Sequence, residues 1–308
     1  MKRVLFFTAS LMILAACSKQ STIEFTQTDQ GVLFTENGAN VLFYQQAPKS
    51  FDGGYTRNNY VHPLWSLQGD TLTEDYPPDH AHHRGIFWTW HQIYVGDTRL
   101  GNAWECRDFV WDVTQATVED AGNGAKTLDV TVLWKSPDFV DNAGQMIPAV
   151  QENTRITVYP RAPSHRAIDF DIRLLALHDN VKIGGSDDVK GYGGFSPRIK
   201  LPEDIRFLSS TGTVQPHNEA VLAGPWMNML GSFDGESVSG FAVLNHPKNP
   251  PPINDWILRS QRSMQNPVYP GRELVGVSQT EPTVLRYRVL VHDGEVDVGD
   301  MYSQYANY

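Results

Sequence analysis

Apolar residues along this chain recur mainly at every second position. Leu128, Val130, Val132 and Trp134 take alternate places in TLDVTVLW. Ile168, Phe170, Ile172 and Leu174 do the same in AIDFDIRLL, and Leu285, Tyr287, Val289 and Val291 repeat the pattern near the end. TRITVYP adds a β-branched and aromatic run. Period two with polar partners predicts strands that bury one face in an antiparallel sheet. Turn-forming clusters separate the runs: Asn37-Gly38, Asp52-Gly53-Gly54, Ala121-Gly122-Asn123-Gly124, Gly184-Gly185 and Asp234-Gly235. The one persuasive helix is the C-terminal piece, Val296 to Tyr305. Many strands of uneven length with almost no helix predict an all-β fold: a large antiparallel β-sandwich with a short C-terminal helix. No internal repeat supports a propeller, and no low-complexity linker divides the chain. The reading is one β-sandwich domain over residues 23–308.

The first residues do not belong to that pattern. Lys2 and Arg3 precede a short apolar core, Val4 to Leu14, and Leu14-Ala15-Ala16-Cys17 ends it. This reads as a lipoprotein signal peptide over residues 1–16, with Cys17 lipidated and residues 17–22 as a tether. The stretch is too short to span a bilayer, so the expected membrane link is the lipid anchor alone, in the cell envelope at the periplasmic or outer-membrane side. The net charge is −10, and loss of Lys2 and Arg3 makes it −12. An acidic body without a basic run argues against nucleic acid as partner. With Cys17 used as anchor, Cys106 has no cysteine to pair with. It reads as a small buried apolar group rather than a nucleophile.

Candidate chemistry concentrates in YPPDHAHHRGIFWTWH. Five of the ten histidines, His62, His80, His82, His83 and His91, fall in one short window. If Asp79 to Arg84 is extended, His80 and His82 share a side and His83 takes the other. The pair then either ligates a divalent metal, with Glu105 or His246 completing the set, or works metal-free as base and acid. No HExxH or CxxC spacing favours the metal. Arg84 suits a carboxylate or polarised oxygen on a ligand, or pairs internally with Asp79. Trp88 and Trp90 alternate and therefore share a face, suited to stacking on sugar rings or to core packing. KGYGGFSPR holds three glycines around Tyr192 and ends at Arg198. It reads as a loop bent over a pocket, Tyr192 donating a proton and Arg198 holding an anionic group. NHPKNPPPINDW is rigid and proline-rich and brings His246 as a further candidate.

YVHPLWS, PPDHAHHRGIFWTWH, KGYGGFSPR and NHPKNPPPINDW together resemble the PmoA-like family, bacterial secreted proteins once labelled methane oxygenase subunits; Ala81 stands where that family usually has proline. The resemblance implies a β-sandwich protein of polysaccharide- and glycoside-degrading systems, and the oxygenase label does not suit a chain without spanning helices. Hydrolysis by the common route needs two facing carboxylates, and Asp79, Glu105 and Asp108 show no such spacing. The histidines suit proton abstraction beside a carbonyl: β-elimination or dehydration of a uronic acid or keto sugar. The expected catalytic set is His80, His82, His83, Arg84 and Tyr192. Trp88, Trp90, His91, Glu105, Arg198 and His246 are the expected carbohydrate-binding set, and His80 and His82 the candidate metal ligands. A non-catalytic glycan-binding lipoprotein, with Trp88, Trp90 and Trp256 stacking on sugars, and a glycoside hydrolase remain the alternatives.

Overall fold

The computed structural model describes residues 21–307. The signal peptide and Cys17 lie outside these residues. Two large sheets dominate. One has six strands, in the order Ile23–Gln27, Gly31–Glu36, Ala39–Gln45, Tyr60–Leu64, Ile86–Thr89 and Gly194–Pro197. The other has nine, in the order Val110–Gly122, Ala125–Lys135, Val150–Val158, His165–Ala176, Thr283–Asp293, Ser239–Asn245, Trp226–Gly231, Arg206–Ser209 and Gly212–Val214. Neighbouring strands run antiparallel. The expected all-β sandwich with a short C-terminal helix is therefore the observed fold; the helix is Val298–Ala306, and the Asp297 side chain caps its start by accepting from the Asp300 amide.

Period two explains the register of the larger sheet. Leu128, Val132 and Trp134 face Ile156, Glu152 and Val150 across one ladder. Ile156 and Val150 in turn face Phe170 and Ala176, and Phe170 faces Tyr287. These side chains make one buried layer. The six-stranded sheet closes over it: Phe195 stacks on Tyr287 at 4.5 Å between centroids, and Trp88 meets Phe170 edge-on at 6.1 Å.

One carboxylate sits inside this layer. Glu152 is fully buried and accepts from Trp88 Nε1 at 2.7 Å, Trp134 Nε1 at 2.8 Å, Asn59 Nδ2 at 2.9 Å and Thr154 Oγ1 at 2.7 Å. Four donors satisfy an anion that would otherwise be costly to bury. They also lock the two sheets together through Trp88.

Ile86–Thr89 is buried on both faces, which corrects the reading of Trp88 and Trp90 as sugar platforms. Both are inaccessible. Trp88 is held by Glu152, while Trp90 donates to the Tyr269 carbonyl at 2.9 Å and packs on Trp134. Trp256 is likewise buried, donating to the Gly224 carbonyl. The outer face of the Ile86–Thr89 strand carries a second small core of Tyr60, Phe87, Trp104, Ile257, Met264 and Val268, against which Tyr192 packs. Cys106, free and partly buried, packs on the main core, consistent with its reading as an apolar filler. Gly85 lies in the left-handed region, at φ 56°. A Cβ there would stand 2.1 Å from the Val61 carbonyl. Its role is close strand approach, not ligand access.

Candidate functional site

The histidine segment is not extended. The His80 amide donates to the Pro77 carbonyl at 3.0 Å and the His83 amide to the His80 carbonyl at 2.9 Å. These successive turns overturn the same-side argument for His80 and His82, because strand alternation does not apply. Instead all three rings converge. His80 and His83 stack at 4.7 Å with planes 4° apart, and His82 stands edge-on to His83 at 4.6 Å.

Two arginines hold this loop from beneath. Arg84 is fully buried. It pairs with Asp75, donates to the Tyr60 hydroxyl at 2.6 Å and the Tyr55 carbonyl at 2.9 Å, and lies 3.6 Å over the Tyr76 ring. It is a strut that closes the loop base and has no free face for a ligand, contrary to the expectation; its carboxylate partner is Asp75, not Asp79. Arg198 is equally buried and does not hold an external anion either. It grips both Asp79 oxygens, at 2.9 and 2.8 Å, and Glu74 at 2.7 Å.

That grip has a chemical consequence. Asp79 Oδ2 also lies 2.6 Å from His80 Nδ1. Burial works against the Asp79 anion, but the hydrogen bonds from Arg198 and His80 outweigh it and hold the carboxyl at about 2. A carboxylate fixed at Nδ1 selects the tautomer that carries its proton there, leaving Nε2 as an acceptor, and stabilises the imidazolium formed when Nε2 takes a proton. The His80 side chain is 43% exposed and reaches solvent. Arg198, Asp79 and His80 thus form a buttressed base.

The base opens on a cavity of about 380 Å³ lined by His80, His82, His83, His91, Trp104, Glu105, Lys190 and Tyr192 together with Asn218 and the 257–264 segment. Trp104 organises its floor: His91 stacks on it at 4.9 Å, and Tyr192 stands edge-on to it at 4.8 Å and to His91 at 4.9 Å. Burial, with His80 next to it, lowers His82 to about 4. Burial, with His82 and His80 as neighbours, pushes His83 well below its ordinary value. Burial and His82 lower His91 to about 3. These three imidazoles are neutral at neutral pH. His91 Nε2 is buried with no hydrogen-bond partner among the described residues. Burial raises Tyr192, with Asp188 adding to it, so the phenol keeps its proton. Its hydroxyl makes no hydrogen bond among the described residues.

The expected residues therefore divide. His80, His82, His83, His91, Glu105 and Tyr192 line one cavity. Arg84, Trp88 and Trp90 do not, and Arg198 supports the cavity from behind. His246 lies elsewhere, in a groove of about 340 Å³ with Arg155, Asp171, Lys248 and Arg286, packed edge-on against Tyr305 of the helix. It directly follows the strand Ser239–Asn245 of the nine-stranded sheet. Among the described residues no group of three or more His, Cys, Asp or Glu is arranged to hold a metal ion, and neither Glu105, paired with Arg107, nor His246 completes a ligand set with His80 and His82. Sequence reasoning missed Trp104, Lys190, Arg259 and Arg262. The signal for the last two was the polar run RSQRS between Leu258 and Met264, two arginines with no acid between them.

The model of a family of unknown function, DUF6807, matches residues 31–306. The chain belongs to DUF6807. The PmoA-like resemblance is corrected by this match, since no such family is found for the chain. A search of the curated proteins finds no match. DUF6807 as matched spans both sheets apart from the edge strand Ile23–Gln27, with the histidine loop, Tyr192 and the 257–264 segment, so the cavity is contained within the family's own fold.

Proposed function

We propose that this DUF6807 protein is a carbohydrate-active enzyme that abstracts a proton beside a carbonyl of a glycoside or oligosaccharide and eliminates the neighbouring oxygen. The observation that carries the reading is the Arg198–Asp79–His80 buttress opening on the same cavity as a protonated, unpartnered Tyr192. His80 Nε2 takes the proton and Asp79 stabilises the imidazolium. Tyr192 hands a proton to the departing oxygen. His82, His83 and His91 are neutral and add no positive charge to the cavity beside His80.

Two observations weigh against the alternatives. Glu105 is the one carboxylate lining the cavity, whereas hydrolysis by the common route uses two. The tryptophans expected to bind sugars are in the core, which removes the stacking argument for a passive binder. At the envelope, anchoring through Cys17 is part of the same proposal and rests on residues 1–22 alone.

The test is incubation of purified protein with uronate oligosaccharides and with 3-keto glycosides, followed by mass spectrometry and near-ultraviolet absorbance. Elimination yields an unsaturated, absorbing product, and His80→Ala should abolish it without unfolding the protein. Unchanged substrates across both classes, or addition of water without unsaturation, would overturn the reading.

A further inference from the structure

The strand Asp255–Ile257 and the strand Asn266–Pro267 pair as a hairpin, and the segment joining them carries Arg259 and Arg262 to the lining of the same cavity as the histidines. The Arg259 backbone is clamped on both sides by the buried Gln265 side chain, at 2.9 Å each. Its guanidinium donates only to backbone carbonyls: His217 at 2.6 Å, Leu258 at 2.8 Å and Asn218 at 2.8 Å. Those bonds fix its position but leave its charge uncompensated. Arg262 sits at the tip with φ 48°, a conformation an arginine rarely adopts. It lines both the histidine cavity and the adjoining cleft at Asp79 and Arg198. Among the described residues neither arginine has a carboxylate partner.

Most other arginines of the chain are neutralised internally, Arg84, Arg166, Arg198 and Arg288 among them. On the cavity wall the balance runs the other way. Lys190 is paired with Asp188, which leaves Arg259 and Arg262 as two unpaired cations. Glu105 contributes the single anion, and Arg107 already occupies it. A locally cationic cavity in a chain of net charge −10 marks selection for an anionic ligand, because a pinned, unpaired guanidinium gains most from a carboxylate that it can bind in two-pronged fashion.

We infer that the substrate is a uronate: a sugar carrying a carboxylate, read by Arg259 and Arg262, rather than a neutral keto sugar. This rests on the elimination reading above and narrows it. The bond changes balance without an oxidant or a co-reactant. His80 removes the hydrogen on the carbon bearing the carboxylate. The electron pair of that C–H bond delocalises onto the carboxylate oxygens, whose growing charge the two arginines stabilise. The pair then forms the carbon–carbon double bond as the glycosidic C–O bond breaks, and the departing oxygen takes its proton from Tyr192.

The experiment is calorimetric titration of the purified protein with galacturonate, glucuronate and mannuronate trisaccharides and with their methyl esters, at about 50 mM and about 300 mM salt. At least one acid should bind ~10-fold or more tightly than its ester, with the gap narrowing at high salt. Arg262→Gln, at an exposed tip with no partner to lose, should remove most of that gap while leaving the melting temperature unchanged; Arg259→Gln should remove it further. Equal affinity for acid and ester, or no binding of any acid, overturns the inference. Turnover separates it from the reading beneath it. Ester-sensitive binding without elimination leaves the carboxylate site standing and sinks the eliminase. Elimination from neutral 3-keto glycosides alone does the reverse.

Discussion

Replacing Asp79 by asparagine isolates the feature on which the chemistry depends. The carboxylate accepts two hydrogen bonds from Arg198, one bidentate pair, and one from His80 Nδ1. Asparagine has the same shape but one acceptor oxygen and one donor amide. If the oxygen faces His80, the amide meets an Arg198 N–H, donor against donor, beside a fully buried guanidinium. If it is flipped, the oxygen accepts from Arg198 Nη2, but the amide now meets both Arg198 Nη1 and His80 Nδ1, forcing the tautomer with the proton on Nε2, which cannot accept. Glu74 still holds Arg198 Nε at 2.7 Å, so folding should suffer modestly, by about 1–2 kcal/mol. The chemical loss is larger. A carboxylate roughly 4 Å from an imidazolium is worth about 4 kcal/mol at an effective dielectric of about 20, and about half that for a ring as exposed as His80. About 2 kcal/mol is roughly 30-fold in rate, and the wrong tautomer multiplies it, so kcat should fall about 10²–10³-fold with KM nearly constant. Asp79→Ala tests the logic further: it loses the charge but imposes no tautomer, so it should retain more activity than Asp79→Asn. Initial rates of unsaturated product, with calorimetric melting as the folding control, decide it. A folded Asp79→Asn enzyme within about threefold of the parent, or an alanine variant slower than the asparagine one, refutes the reasoning.

Three further outcomes follow from the same geometry. Tyr192→Phe should lower kcat by about 10²-fold on a substrate with a sugar leaving group, and much less on one with a nitrophenolate leaving group, which departs without a proton; equal losses on both would remove Tyr192 from the acid role. Stability should depend on pH through the neutral histidines: His82 titrates at about 4 and His91 at about 3 in the folded protein against about 6.5 unfolded. The unfolded chain therefore binds more protons across that window, and stability is full above about pH 6.5 and falls as pH drops towards 4 and then 3, by at most about 1.4 kcal/mol per pH unit for each group. His82→Gln with His91→Gln should flatten the curve of melting temperature against pH between 6.5 and 4, and an unaltered slope would contradict the assignment. Glu152→Gln turns one of the acceptor oxygens facing Trp88, Trp134, Asn59 and Thr154 into a donor, which should cost about 3 kcal/mol of stability, measured by urea denaturation; a cost under about 1 kcal/mol would mean that the network is not what locks the sheets.

The sequence made the strands legible because period two is a local property: each half-buried strand writes its own alternation, and the Ala125–Lys135 and His165–Ala176 strands read off without knowledge of their neighbours. The same rule misled at Trp88 and Trp90. Alternation assigns one face to core and one to solvent, but the Ile86–Thr89 strand lies between a sandwich core and a second cluster, so neither face is free. The density of histidines located the cavity, since groups close in sequence stay close whatever the backbone does, and the rings converge through turns rather than through the extended geometry assumed for them. What the chain could not reveal is partnership at a distance. Arg198 reads as a ligand-binding cation until its two bonds to Asp79, 119 residues away, are seen. His246 reads as a site residue until the strand that precedes it is placed in the nine-stranded sheet and its groove is seen to be a separate one. In each case a charged or aromatic residue near a glycine-rich or proline-rich turn was assigned to the ligand, when a buried partner had already claimed it. The reverse holds for Arg259 and Arg262, which stand in an unremarkable polar run and become conspicuous only because the fold brings no carboxylate to them. The informative quantity for function here is charge left over after internal pairing, and only the three-dimensional structure exposes it.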